Sequence, residues 1–156
     1  MSILKLPKMN DDEIKQALQS TNICRIAFID ETYPYISPFQ YAYLNNTIFF
    51  HFTDYGKKKQ ILKKNNNVCV SIEHFKEDLS TFYFISMQGK LVLVENEQEK
   101  LQVFEQMVKN ARKAYSQNFL SAHGYEKEDG WDVLTKKNQI LYKFVQMRKP
   151  IGLKSP

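Results

Sequence analysis

The sequence predicts a mainly β protein of the α+β class, an antiparallel sheet closed into a small Greek-key barrel with helices at its periphery. Three observations carry this expectation. Short runs of β-branched and aromatic residues recur along the chain, bounded by Asn, Gly and Pro turn signals. Consecutive runs follow one another as hairpins, with only a few helical stretches outside them, as in closed antiparallel sheets. Aromatic residues make up 13% of the chain, with 11 Phe and 9 Tyr, a content that suits strands or a site packing against a flat ligand.

The elements follow in order. Asn10–Gln19 reads as a short helix: Asn10 is the N-cap, Glu13 completes a capping-box arrangement, and Asp11 and Asp12 suit the positive end of the dipole. Ile14, Ala17 and Leu18 give it one apolar face. Ile23–Ile29 is apolar on both faces apart from Arg25, which predicts a strand buried on both sides. A buried guanidinium is costly without a partner, so Arg25 belongs at a strand edge or against an anion or carboxylate. Asp30–Pro34 is a turn. Tyr35–Leu44 is the second strand, and Asn45–Asn46 makes a tight hairpin from it into Thr47–Phe52. Pro38 cannot donate to a ladder and marks an edge or a bulge.

A basic helix over Lys57–Lys64 stops at Asn65–Asn67, and Val68–Glu73 returns as a strand. Tyr83–Val94 is the next strand, with Gly89 a bulge at which backbone or ligand comes close. Asn96–Ala114 is the longest helix, with Leu101, Phe104, Val108 and Ala111 as its core face at three- and four-residue steps. Ser116–Leu134 is interrupted by Gly124 and Gly130 and anchored by Trp131. Gln139–Gln146 closes the chain as a sixth strand. No repeat or linker divides the 156 residues, so one domain over residues 1–156 is expected.

Apolar residues at 43% and charged residues at 25% are those of an ordinary soluble globular protein. The net charge of +5 is compatible with nucleic acid, an anionic membrane or a phosphorylated small molecule as partner. Acidic residues scattered from Asp11 to Asp132 break up any basic arm, and the lysines cluster on one helix while the aromatics sit on strands. Both features count against nucleic acid. No apolar run approaches the ~18 residues needed to span a bilayer, and MSILKLPKMNDDE is too short and polar for a signal peptide; a cytoplasmic protein is expected. Cys24 and Cys69 form no zinc motif, and His51, His74 and His123 share no ligand spacing, so no metal site is expected.

The stretch richest in chemistry is TIFFHFTDYGKKKQILKKN, Thr47–Asn65. An aromatic strand runs into Gly56 and then into a lysine cluster at the start of a helix. Such a turn leaves backbone N–H groups unpaired at the helix N-terminus, where the dipole favours an anion. Thr53 can add a hydroxyl, and Lys57 or Lys58 a positive charge. No P-loop pattern is present. A solvated basic face is the other reading of the same run.

The segments PYISPFQYAY, IFFHFTDYGKKKQILKKNNNVCVSIE and QGKLVLV, in this order, resemble the flavin-binding split barrels related to pyridoxamine 5′-phosphate oxidase. The likeness is nearest to the nitroimidazole-reductase-like branch, with its proline-tyrosine strand, FH, GxK and NxxVC strand, and it spans roughly residues 10–95. It implies a six-stranded antiparallel split barrel, a homodimer, and FMN in a cleft between subunits. By this resemblance Thr53, Lys57 and Lys58 would meet the FMN phosphate, Lys58 standing where the GxK pattern puts its lysine. Pro38, Phe39, Gln40 and Tyr41 would run along the isoalloxazine, Arg25 would reach the ribityl or phosphate, and Gln88 would lie near the cofactor beside Gly89.

His51 would stand beside the flavin, where an ordinary pKa of ~6.5 would let it protonate a reduced substrate at neutral pH. A histidine satisfied on its strand is the other reading. Phe84 stands where the family often has a serine, and the oxidase's C-terminal arginine–histidine motif is missing from LYKFVQMRKPIGLKSP, which turns the reading away from pyridoxamine phosphate as substrate. The implied function is an FMN-dependent oxidoreductase moving electrons between NAD(P)H or a similar donor and a small molecule. A flavin, deazaflavin or haem carrier without turnover is the alternative. Dimerisation would give Phe49, Ile85 and Leu91 their partners. Gln98–Leu134 matches no element of the family and reads as a lid or a dimer contact.

Overall fold

A computed structural model describes residues 2–136 and 138–156. Helix α1 (Asp11–Ser20) starts at a full capping box: the Asn10 side chain accepts from the Glu13 N–H at 2.8 Å, and the Glu13 carboxylate accepts from the Asn10 N–H at 3.1 Å. Strands β1 (Ile23–Asp30) and β2 (Tyr33–Gln40) pair in unbroken register from Ile23 opposite Gln40 to Asp30 opposite Tyr33. Strand β3 (Ala42–Leu44) turns at Asn45–Asn46, both at positive φ, into β4 (Thr47–Phe52). Helix α2 (Lys57–Lys64) leads to β5 (Asn67–Phe75) and β6 (Phe82–Leu93); α3 (Glu97–Ala114) and α4 (Asn118–Ala122) follow. Two short 3-10 turns, Lys127–Asp129 and Trp131–Thr135, precede β7 (Ile140–Gln146) and β8 (Ile151–Lys154).

The strands form one antiparallel sheet in the order β2-β1-β5-β6-β7-β4-β3, with β8 also on β6. β2 and β3 stand at opposite ends of that order, yet only Tyr41 separates them in the chain. The sheet must therefore curl until its edges approach, which produces the split barrel. The expected antiparallel barrel with peripheral helices is present, with eight strands rather than six. One extra strand arises because the expected Tyr35–Leu44 strand breaks at Tyr41: its first part pairs with β1, and only Ala42–Leu44 forms the hairpin with β4. The other is β8, which shares one edge of the long β6 with β7. Pro38 sits on the edge strand β2, where a missing N–H is tolerated.

Two apolar clusters result. One fills the barrel, from Ile26 and Phe28 through Phe50, Val70, Ile85 and Leu91 to Ile14 and Leu18 of α1. The other lies between the outside of the sheet and a cap made of α3, α4 and the 3-10 turns, with Phe49, Phe104, Val108, Leu120 and Leu134 at its centre. β4 separates them: Ile48, Phe50 and Phe52 face the barrel, whereas Phe49 faces the cap. The strand buried on both faces is thus β4. β1 alternates, with Cys24, Ile26 and Phe28 buried and Ile23, Arg25 and Ile29 exposed. On α3 the buried face is Val103, Phe104, Met107, Val108 and Ala111, while Leu101 is exposed.

Gly89 is not a bulge, since β5 and β6 pair without interruption through it. Its role is close approach: a Cβ there would run into the Val145 carbonyl and the Phe144 ring of the crossing β7. Phe49, Ile85 and Leu91 are buried within the subunit and offer nothing to a partner. Among the described residues no helix is long and apolar enough to cross a membrane.

Candidate functional site

Where β2 ends, β4 runs into the turn before α2, and the cap folds down, a cleft of about 380 Å³ opens. One wall is local in sequence. Pro38, Phe39 and Gln40 come from the end of β2, and Phe52, Thr53, Tyr55 and Lys58 from the strand-to-helix junction. Phe39 is fixed by stacking on Phe52 (centroids 4.9 Å apart) and by an edge contact with Phe50 (5.7 Å). Gly56 takes φ +97, a conformation that suits only glycine, and it caps α2 with no side-chain hydrogen bond, leaving the first N–H groups of the helix without a side-chain acceptor.

The lysines of that junction divide sharply. Lys57 pairs with Asp30 at 3.0 Å and lies over the Tyr35 ring; Lys59 pairs with Asp54, and Lys64 with Glu31. Lys58 alone points into the cleft. It is half-buried, with its ammonium 4.7 Å from the Phe39 ring centroid and 3.4 Å from the Ser37 hydroxyl, and it has no carboxylate partner among the described residues. A half-buried lysine beside uncapped backbone N–H groups is a donor set suited to a phosphate, and the Thr53 hydroxyl, which donates to the Tyr55 carbonyl at 3.3 Å, joins it only by turning away from that carbonyl.

The other wall comes from the cap. Tyr115, Ala122 and His123 line it, meeting His51 from β4. His51 and His123 stack with centroids 5.5 Å apart, and Phe104 stands edge-on to His51 at 5.6 Å. His51 Nε2 lies 3.1 Å from Gln139 Oε1 and 3.2 Å from the Tyr125 hydroxyl, which itself bonds Gln139 Oε1. Burial, with the neighbouring His123 adding to it, pushes His51 down to about 4, and burial also lowers His123. At neutral pH His51 is therefore uncharged, so an imidazolium acid at this position, expected from its ordinary pKa, is not available.

Of the residues singled out from sequence, Pro38, Phe39, Gln40, His51, Thr53 and Lys58 converge on this cleft. Four others lie elsewhere within the subunit. Arg25 forms an exposed ion pair with Glu73, the carboxylate partner its charge demanded. Tyr41 is buried, its hydroxyl donating to the Leu18 carbonyl at 2.9 Å at the end of α1. Lys57 is held by Asp30. Gln88 is held by the β7–β8 connection, its carbonyl accepting from the Met147 N–H at 3.0 Å and its side-chain oxygen from Arg148 at 3.1 Å.

Sequence reasoning passed over Asn22, Tyr115, His123, Tyr125 and Gln139. The four-residue steps Tyr115, Phe119 and His123 were the one available signal: Tyr115 stacks on Phe119, and the His123 ring packs against Phe119 at a tilt, with centroids 4.1 Å apart. Asn22 bonds the Tyr115 hydroxyl, and this pair stands between the cleft and a second one of about 640 Å³ bounded by α1, β3 and the end of α3.

The family profile described as pyridoxamine 5′-phosphate oxidase matches residues 10–134. No curated protein matches the chain. Solved structures do. A FAD-binding protein from Mesorhizobium loti superposes with a TM-score of 0.69 at 16% identity, covering 98% of this chain and 100% of its own. A candidate 5-nitroimidazole antibiotic resistance protein from Bacteroides thetaiotaomicron gives 0.66 at 20% identity, covering 96% and 90%. The haem storage protein HutZ from Vibrio cholerae gives 0.65 at 16% identity, covering 92% and 94%. At these identities the likeness is one of fold.

Proposed function

The chain belongs to the pyridoxamine 5′-phosphate oxidase family, and from that premise we propose that it is an FMN-binding flavoprotein passing electrons between a nicotinamide or similar donor and a small-molecule acceptor. The observation that carries the reading is Lys58, a half-buried lysine with no carboxylate partner among the described residues, at the open N-terminus of α2. Lys58, Thr53 and the first N–H groups of α2 would hold the phosphate, and Pro38, Phe39 and Gln40 would lie along the ring. The bound flavin would supply the redox chemistry, while the chain binds and orients it. The visible spectrum of the purified protein, followed by release and mass identification of the chromophore, tests this. Flavin bands and the mass of FMN are expected; a colourless protein that takes up no added FMN would sink it.

The same reading includes a homodimer. Ile23, Ile29 and Ile36 lie exposed on the outward face of the β1–β2 hairpin, and Ile23 and Pro38 belong both to that face and to the cleft. A second copy laid there would bury the isoleucines and cover the cleft mouth. Light scattering at micromolar concentration should give twice the chain mass, and a monomer would count against it.

The neutral state of His51 favours a second reading, a flavin, deazaflavin or haem carrier without turnover, because the cleft then offers no imidazolium to protonate a substrate. Anaerobic reduction by NADH or NADPH followed in the visible spectrum separates the two: bleaching supports the oxidoreductase, and an unchanged spectrum the carrier.

A further inference from the structure

The cap wall fixes more than the position of two rings. Gln139 donates through Nε2 to the Val133 carbonyl at 3.2 Å, so its Oε1 must be the atom turned towards His51 and Tyr125. An amide oxygen only accepts. The Tyr125 hydroxyl gives its single proton to that oxygen, so His51 must carry its own proton on Nε2, 3.1 Å away, and Nδ1 is left as a bare lone pair. For His123 the outcome is reversed in the ring. Nδ1 sits 2.8 Å from the Phe119 carbonyl, which also only accepts, so the proton is on Nδ1 and Nε2 is bare.

Both side chains are more than nine-tenths buried, at 7% and 8% exposure, and both line the cleft. Neither bare nitrogen has a partner among the described residues. No fully buried side-chain nitrogen or oxygen there lacks one, so the two nitrogens are not fully buried, and the cleft is the opening that both residues line. Leaving two acceptors unpaired in a mostly buried wall is costly unless something donates to them.

We propose that His51 Nδ1 and His123 Nε2 form a two-acceptor subsite on the cap wall that selects a neutral small-molecule substrate carrying N–H or O–H donors and rejects anionic ones, with Gln139 as the residue that positions His51. The cleft is then divided by chemistry. Lys58 and the α2 N-terminus attract negative charge on one wall, whereas lone pairs on the opposite wall repel it. Beyond the Asn22–Tyr115 pair the second cleft gives such a molecule room to extend. The inference shares its cleft with the FMN reading but rests on hydrogen bonds internal to the chain, so the two can fail separately.

Nitrogen NMR of protein labelled in its histidines tests it, with nicotinamide and nicotinate as probes of one ring and nearly one size. The unaltered protein should show the proton on Nε2 in His51 and on Nδ1 in His123. Nicotinamide should shift both bare nitrogens saturably and bind at least about tenfold more tightly than nicotinate, with FMN present in excess. His123→Leu should weaken nicotinamide by about five- to tenfold, the loss of one hydrogen bond. Gln139→Leu should let His51 populate both tautomers, a change that packing loss alone would not produce. Reversed tautomers, nicotinate binding as tightly as nicotinamide, or nicotinamide displaced by FMN would each overturn the proposal, and these readings come from unaltered protein even where a variant fails to fold. If no FMN is taken up while nicotinamide still shifts the rings, the cofactor reading falls and the subsite stands.

Discussion

The two walls of the cleft are built on different principles. The wall from Thr53 to Lys58 is continuous in sequence, sits at the edge of solvent, and works by charge. The wall under the cap joins His51 to residues as distant as Gln139, is buried, and works by hydrogen bonds between neutral groups. Screening limits what an exposed charge can do, whereas a network removed from water is held tightly and fails abruptly. The cap wall should therefore govern stability and acid tolerance, and the lysine wall should govern how tightly a phosphate is held.

Opening the cap cluster should cost the most stability. Phe104→Ala removes the ring that stands against His51 at the centre of the cap cluster, and truncating a buried Phe costs ~3–5 kcal/mol. Denaturant unfolding should show that loss, while any preference for FMN over riboflavin persists at low temperature in the fraction that stays folded. If the preference disappears along with the stability, the walls do not act separately.

Acid should find the same wall. His51 titrates near 6.5 in the unfolded chain but is pushed down to about 4 in the fold, so between those values the unfolded chain takes up a proton that the folded one refuses. Stability is then fully present above pH ~6.5 and falls as the pH drops towards ~4, by an amount of order 3 kcal/mol. His123, itself lowered by burial, loses stability in the same direction, and Tyr125 and Gln139, the other polar groups on His51, stay uncharged across this range. His51→Phe should flatten the pH dependence of the unfolding midpoint between pH 4 and 7. An equally steep dependence in that variant would place the acid sensitivity elsewhere.

That contrast also explains what the sequence disclosed. The capping box of α1, the Asn45–Asn46 turn and the glycine-lysine junction are local arrangements, and each was legible because its partners lie within a few residues. Arg25 announced its need for an opposite charge but not which one, since Glu73 arrives from another strand. The break at Tyr41 was hidden because Tyr35–Leu44 has strand character throughout, and only closure of the barrel sends its two parts to opposite edges of the sheet. His123, Tyr125 and Gln139 carry no local pattern that ties them to His51. Their meeting depends on how the cap folds back, and a single sequence holds no record of that.

On the lysine wall, Lys58→Ala should weaken FMN by about ten- to a hundredfold, since a charge-assisted hydrogen bond to a shielded phosphate is worth ~1.5–3 kcal/mol. Riboflavin, which lacks the phosphate, should bind the variant almost as it binds the parent. Flavin fluorescence quenching on titration measures both. An equal loss for the two ligands would mean that Lys58 acts through stability or general field, and the phosphate assignment would have to be given up.

A silent substitution on the same helix separates a specific contact from a general field. Lys63 belongs to the same helix and adds the same formal charge, but it is exposed and does not line the cleft. If the net charge of +5 drew the phosphate in, removing either lysine would matter to a similar degree and added salt would erase both effects. If a particular ammonium meets the phosphate, Lys63→Ala should change FMN affinity by under ~0.5 kcal/mol, because water and ions screen an exposed charge that makes no contact. Arg25→Ala belongs with it: its guanidinium is committed to Glu73 at the surface, so in the subunit as it stands it should leave FMN affinity equally unmoved. A tenfold loss in Arg25→Ala with Lys63→Ala silent would show that Arg25 leaves Glu73 for the cofactor. A matching loss in both would show that the field of the whole face, and not Lys58, holds the phosphate.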